Sequence, residues 1–178
     1  MNLQHPFLVS VSMDPLHAIG AFEITGLPLH PLLVHAVVVL APLTALALIL
    51  GSLWPAARRR LGIVTPLAAL LLVALVPVTV AAGQALSEVV GPAPTIETHG
   101  GYGRMLLPWV IGMFVVAAAQ WAWFRWGASP AKEGGSRRGR AVPIVLAVLA
   151  VAAGAGTTVM VALIGDSGAR AVWGGLLG

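Results

Sequence analysis

The sequence predicts an all-α fold: a polytopic membrane protein built as a four-transmembrane-helix bundle with both termini outside. Three observations predict it. Of the 178 residues, 58% are hydrophobic and only 9% are charged, where an ordinary globular domain carries roughly a quarter charged residues. Four apolar segments of about 20 residues are each long enough to cross a bilayer. The basic residues are concentrated in two of the connecting links, and this asymmetry orients the helices.

Residues 1–25 are expected to form an N-terminal extracytoplasmic tail. They hold no Lys or Arg, so the positive region of a secretory signal is missing, and the apolar run at 7–11 is too short for its hydrophobic region. Met13 is a second candidate start. The membrane domain is expected over 26–175, with spans at about 32–54, 63–82, 105–124 and 142–164. The first link carries Arg58, Arg59 and Arg60. The third, a flexible Gly/Ser/Arg-rich loop at 127–140, follows or contains Arg125, Lys132, Arg137, Arg138 and Arg140. These two links hold eight of the ten basic residues, which places both in the cytoplasm and both termini outside. Trp54, Trp121, Trp123 and Trp126 fall at the same inner boundary, where indole rings favour the headgroup level. Each half thus reads as a helical hairpin with a basic inner turn, and no repeat is evident in the residues.

Lipid supplies no hydrophobic drive between helices, so small residues must let them pack closely. Ala150, Gly154 and Thr158 in the fourth span and Gly112 with Ala117, Ala118 and Ala119 in the third are expected contact faces. Pro42 and Pro77 each remove a backbone donor and are expected to bend their helices.

Cysteine is absent, which excludes disulfides, thiolate metal sites, iron–sulfur clusters and covalently attached haem. The net charge of +4 would suit nucleic acid by its sum. Its positions instead suit lipid orientation and attraction to anionic headgroups, so the expected partner is the bilayer and not nucleic acid.

All five histidines (His5, His17, His30, His35 and His99) fall on the outer face. Two of them open the first span, in Gly26-Leu27-Pro28-Leu29-His30-Pro31-Leu32-Leu33-Val34-His35. Titratable groups at the mouth of an apolar helix are costly unless held. Pro31 suits the first helical position, which makes His30 the expected cap. Five residues turn a helix by about 500°, so the two rings point about 140° apart, and His35 is the one expected to face the bundle. His99 precedes the third span, on a helical extension capped by Thr95 with Glu97 near its start. Asp166 follows the fourth span and is expected to cap a short interfacial helix anchored by Trp173, or to pair with Arg170 four residues on.

Three helix ends thus bring His30, His35, His99 and Asp166 to one face. Imidazoles from neighbouring helices can ligate haem b, and a carboxylate can orient an imidazole from behind. The same groups could hold a transition metal such as zinc or copper. His35 and His99 are the leading ligand candidates, with His30 beside them and Asp166 as their orienting group. The plainer alternative makes His30 a cap and His99 a surface residue.

On these residues the chain resembles the DUF2231 family of predicted bacterial membrane proteins. The motifs that carry the resemblance are the stretch from Gly26 to His35, Gly83-Gln84-Ala85-Leu86, His99-Gly100-Gly101-Tyr102-Gly103, and Gly165-Asp166-Ser167-Gly168-Ala169-Arg170-Ala171-Val172-Trp173. The resemblance covers about residues 26–175. It implies a four-helix protein of the bacterial cytoplasmic membrane, with no established activity and a link to respiratory electron transfer. Relatives often carry His at the place of Asp166, a departure that bears on any model needing a ligand there.

The leading expectation is a small redox-linked subunit with an outer-face histidine site for haem b or a metal, working beside other membrane or respiratory proteins. The alternative is a scaffold or assembly partner with no cofactor. A small transporter ranks third, because the spans offer few polar groups near the bilayer centre beyond Thr44, Thr79, Thr157 and Thr158. No nucleophile–base–orienter set is visible, so independent catalytic activity is not expected.

Overall fold

The computed structural model describes residues 22–24, 26–127 and 137–174. The remaining tail and most of the third link, with His5, His17, Met13, Lys132 and Glu133, lie outside the described residues. Two antiparallel two-residue strands, β1 (Glu23–Ile24) and β2 (Leu27–Pro28), precede the helices. The chain turns between them at Gly26, whose φ of 78° is open to glycine without penalty. The helices are α1 (Leu29–Leu53), the short α2 (Pro55–Leu61), α3 (Val64–Val90), α4 (Pro94–Ala122) and α5 (Arg137–Trp173). A single π-helical turn, Trp123–Gly127, extends α4.

Four of these helices are long and apolar enough to cross a membrane. They pack as a square in which α1 and α4 each lie against both α3 and α5, while α1 and α4 meet across the diagonal. The interior is closed by small and medium side chains: Ala41, Leu48, Ala69, Leu72, Val110, Met113 and Ala150 are fully buried. The expected small-residue contacts are partly realised. Ala150 is buried, and a Cβ on Gly154 would come within 3.1 Å of Ile49 and 3.3 Å of Ala45 on α1, so this stripe forms the α1/α5 seam. Thr158 is instead exposed, and its neighbour Thr157 turns inward. Gly112 faces open space, whereas Gly156 receives the Trp109 ring in a position no larger residue would leave free.

Three helix ends differ from the sequence expectation. First, α1 starts at Leu29, not at Pro31, because the β1/β2 turn brings the Leu29 N–H to the Phe22 carbonyl at 2.7 Å. Pro28 is the cap and His30 lies inside the helix. Pro31 is still in the first turn, where its missing N–H is no loss. Second, the cap of α4 is Ala93 followed by Pro94, not Thr95, although Glu97 sits in the first turn as expected. Third, α5 runs unbroken through Asp166 to Trp173. No proline interrupts it after Pro143, and the Asp166–Arg170 pair, four residues apart at 2.9 Å, favours helix over cap.

The arginines of the first link gather at the far end of the bundle from His30. Arg58 reaches back from α2 to the last carbonyls of α1, donating from Nε to Gly51 at 2.8 Å and from Nη2 to Ser52 at 3.0 Å. Its guanidinium stacks 3.4 Å from the centre of the Phe124 ring. Trp121 and Trp126 meet edge to face at this end.

Candidate functional site

At the opposite end, two imidazoles from diagonal helices meet inside the square. His30, in the first turn of α1, and His99, in the second turn of α4, have ring centres 6.0 Å apart with planes at 88°. Both are half-buried.

Each ring is held in the same way. His30 Nδ1 lies 2.9 Å from the carbonyl of Thr79 on α3. His99 Nδ1 lies 3.1 Å from the carbonyl of Ile164 on α5 and 3.2 Å from Ser167 Oγ. A carbonyl only accepts, so against these groups Nδ1 carries the proton, and in the neutral ring Nε2 keeps its lone pair. Neither Nε2 has a hydrogen-bond partner among the described residues. Behind each ring is a glycine. A Cβ on Gly83 would stand 2.7 Å from His30 Cε1, and one on Gly168 would stand 3.1 Å from His99 Cε1. In both cases the Cε1–Nδ1 edge lies nearer the glycine than Nε2 does.

The two halves of the bundle therefore repeat one device. The histidine near the start of a hairpin's first helix bonds a carbonyl on its second helix and packs on the glycine four residues beyond that carbonyl: Thr79 and Gly83 in one half, Ile164 and Gly168 in the other. The two copies meet at the centre of the square.

The other expected residues stand apart. His35 is exposed, and its Nδ1–H bonds the Pro31 carbonyl of its own helix at 2.6 Å. The two rings do not share a face, but the assignment is the reverse of the expectation: His30 is half-buried against α3 and His35 is exposed. Asp166 is also exposed. Its carboxylate bonds Arg170 from both oxygens, at 2.9 Å and 3.2 Å, and the orienting contact to His99 comes from Ser167 and a main-chain carbonyl instead. No group of three His, Cys, Asp or Glu side chains gathers around the pair among the described residues.

The sequence gives no role to Ile164, names Thr79 only as a polar group within a span, and offers Gly83, Ser167 and Gly168 only as parts of motifs. Main-chain carbonyls have no sequence signature. Gly83 does offer a signal, since it breaks an otherwise continuous helix-forming run without ending the helix, which a close approach explains; Gly168 follows Gly165, Asp166 and Ser167 and offers none.

A family model matches residues 26–178, and its description is a predicted membrane protein, DUF2231. The chain belongs to the DUF2231 family. No curated protein and no solved structure matches it. In this DUF2231 member the match begins at Gly26, the residue that turns the chain into α1, and takes in both histidine–glycine pairs.

Proposed function

We propose that this DUF2231 member is a small redox-linked subunit of the bacterial cytoplasmic membrane, with His30 and His99 holding a haem b or a transition-metal ion at the extracytoplasmic end of the bundle. The observation that carries the reading is the shared state of the two rings: each Nδ1–H is committed to a main-chain carbonyl, and neither Nε2 has a partner among the described residues. Ligating histidines are characteristically held through their other nitrogen, which fixes the tautomer and raises ligand basicity. With metal–nitrogen bonds of about 2 Å, two imidazoles on one ion have ring centres about 6 Å apart, in keeping with the observed 6.0 Å. Haem iron needs only two axial ligands from the protein, whereas a bare zinc ion takes four donors in all, so a two-histidine set favours haem. The two basic links support the orientation, with histidines outside and arginines in the cytoplasm.

The test is spectroscopic. Protein from a haem-replete host, purified in mild detergent, is expected to show dithionite-reduced minus oxidised haem bands or stoichiometric bound metal. His30→Ala and His99→Ala should each abolish the signal, and His35→Ala should leave it unchanged. Well-folded, colourless and metal-free wild-type protein would sink the reading.

One observation favours a second reading, a scaffold without cofactor. The two imidazoles tie α1 to α3 and α4 to α5, so they could serve as latches alone. On that reading the histidine variants lose stability while the wild type carries nothing.

A further inference from the structure

Nothing within a histidine side chain fixes the plane of its ring. The torsion that turns the imidazole is a soft, roughly two-fold rotor, so the planes of His30 and His99 are set by what touches them. Each ring is gripped along one edge by one helix. His30 Nδ1–H points to the Thr79 carbonyl at 2.9 Å. One turn further along α3, a Cβ on Gly83 would lie 2.7 Å from Cε1 and 2.8 Å from Nδ1 of the same ring. His99 lies on α5 in the same way. Its Nδ1–H faces the Ile164 carbonyl at 3.1 Å and Ser167 Oγ at 3.2 Å, and a Cβ on Gly168 would lie 3.1 Å from Cε1 and 3.2 Å from Nδ1. Ser167 spends its own proton on the Ile164 carbonyl at 3.0 Å, so towards the ring its oxygen only accepts.

Held in this way, the two rings stand at 88°. Turning either one towards the plane of the other bends its Nδ1–H bond, which weakens steeply away from linearity. The crossed planes have an electronic consequence for an iron ligated by both. An axial imidazole raises the iron d orbital that matches its own π orbital. Parallel rings raise the same orbital and split the pair. Perpendicular rings raise both and leave them nearly degenerate. Near-degeneracy gives low-spin ferric iron a highly anisotropic magnetic signal, and it favours the ferrous state. Axial ligands and the contacts behind them are among a protein's levers on haem potential.

We infer that Gly83 and Gly168 are positioning residues that keep the two imidazole planes crossed and so tune the pair to hold haem at a higher potential than parallel rings would give. This tuning rests on the haem form of the His30/His99 reading.

The full chain, produced in a haem-replete host and purified in mild detergent, is oxidised and its electron paramagnetic resonance recorded at helium temperature, with haem content and midpoint potential measured on the same samples. The wild type is expected to show one dominant low-field feature, the mark of crossed planes. Gly83→Ala, which forces the His30 edge away from α3, should shift the signal towards the spread three-line form of parallel planes and lower the midpoint potential. Gly168→Ala should shift both in the same direction and by less. Gly101→Ala on α4, where a Cβ would meet nothing within 4 Å, should change neither. A three-line signal from haem-loaded wild type would overturn the tuning alone, and it decides the matter even where a glycine variant loses its haem. So would a haem-loaded Gly83→Ala indistinguishable from wild type, or one whose signal shifts without a fall in potential. A bound non-haem metal in place of haem would leave the pair as ligands and overturn the tuning. Wild type with neither haem nor metal would overturn the His30/His99 reading and the tuning with it.

Discussion

At the residue scale, the glycines behind the imidazoles are the sharpest constraint. At Gly83 an added methyl would sit 2.7 Å from a ring that the Thr79 carbonyl holds in place, and at Gly168 the corresponding distance is 3.1 Å. Overpacking of this kind costs about 1–3 kcal/mol. Gly83→Ala should therefore destabilise the protein more than Gly168→Ala, read as the loss of melting temperature in detergent, and both should perturb any spectrum of the paired imidazoles. Equal melting of the two variants and wild type would mean that the rings move aside freely. Thr157 makes the opposite case. It is fully buried and its Oγ1 has no partner among the described residues, whereas Thr79 Oγ1 donates to the Leu75 carbonyl at 2.8 Å. A buried unsatisfied hydroxyl costs about 1–3 kcal/mol. Thr157→Val, which keeps the shape and removes the hydroxyl, should raise the melting temperature, while Thr79→Val should not.

The residue scale is also where the sequence was hardest to read. Helix periodicity separates His30 from His35 around the axis, and one ring is half-buried while the other is exposed. It could not say which ring points inward, because α1 is apolar nearly all round, with leucines and valines on both its buried and its exposed faces. A helix of that kind has no polar face to mark the outside. Only the positions of α3 and α4 decide, and they turn His30 in.

At the scale of elements, hydropathy located the four long apolar helices because a span needs about 20 apolar residues. It missed how far the helices continue beyond them. The stretches 83–90, 94–104 and 165–173 are polar or glycine-containing, and they are helical because neighbouring helix ends pack on them, as Gly83 and Gly168 do on the histidines. At the arginine end the same kind of long-range contact joins α1 to α4. Buried Gln120 donates to Ser52 Oγ, which donates in turn to the Leu48 carbonyl. Ser52→Ala strands the Gln120 amide and should cost about 1–3 kcal/mol. Gln120→Met leaves Ser52 still bonded to Leu48 and should cost less. The double variant Ser52→Ala/Gln120→Met should be more stable than Ser52→Ala alone, and strictly additive losses in the cycle would show that the pair is not coupled.

At the scale of the molecule, the two hairpins act as copies of one unit, each bringing one imidazole to the centre, although their residues show little likeness. What they share is three positions in space, a histidine, a carbonyl and a glycine, and no linear comparison aligns a carbonyl. Both copies must then face the same side of the membrane, so the orientation of one hairpin fixes that of the site. On the proposed orientation, with the eight basic residues of the two links in the cytoplasm, the imidazoles lie on the extracytoplasmic side. The chain has no cysteine, which makes the assignment directly testable with single cysteines in intact cells. Ser136→Cys, in the third link, should react with an impermeant maleimide only after the membrane is opened. Glu88→Cys, exposed near the end of α3 beyond Gly83, should react before it. Reversed labelling would put the His30/His99 pair in the cytoplasm. The pairing of the rings would stand, but a redox partner would then have to reach them from the cytoplasmic side.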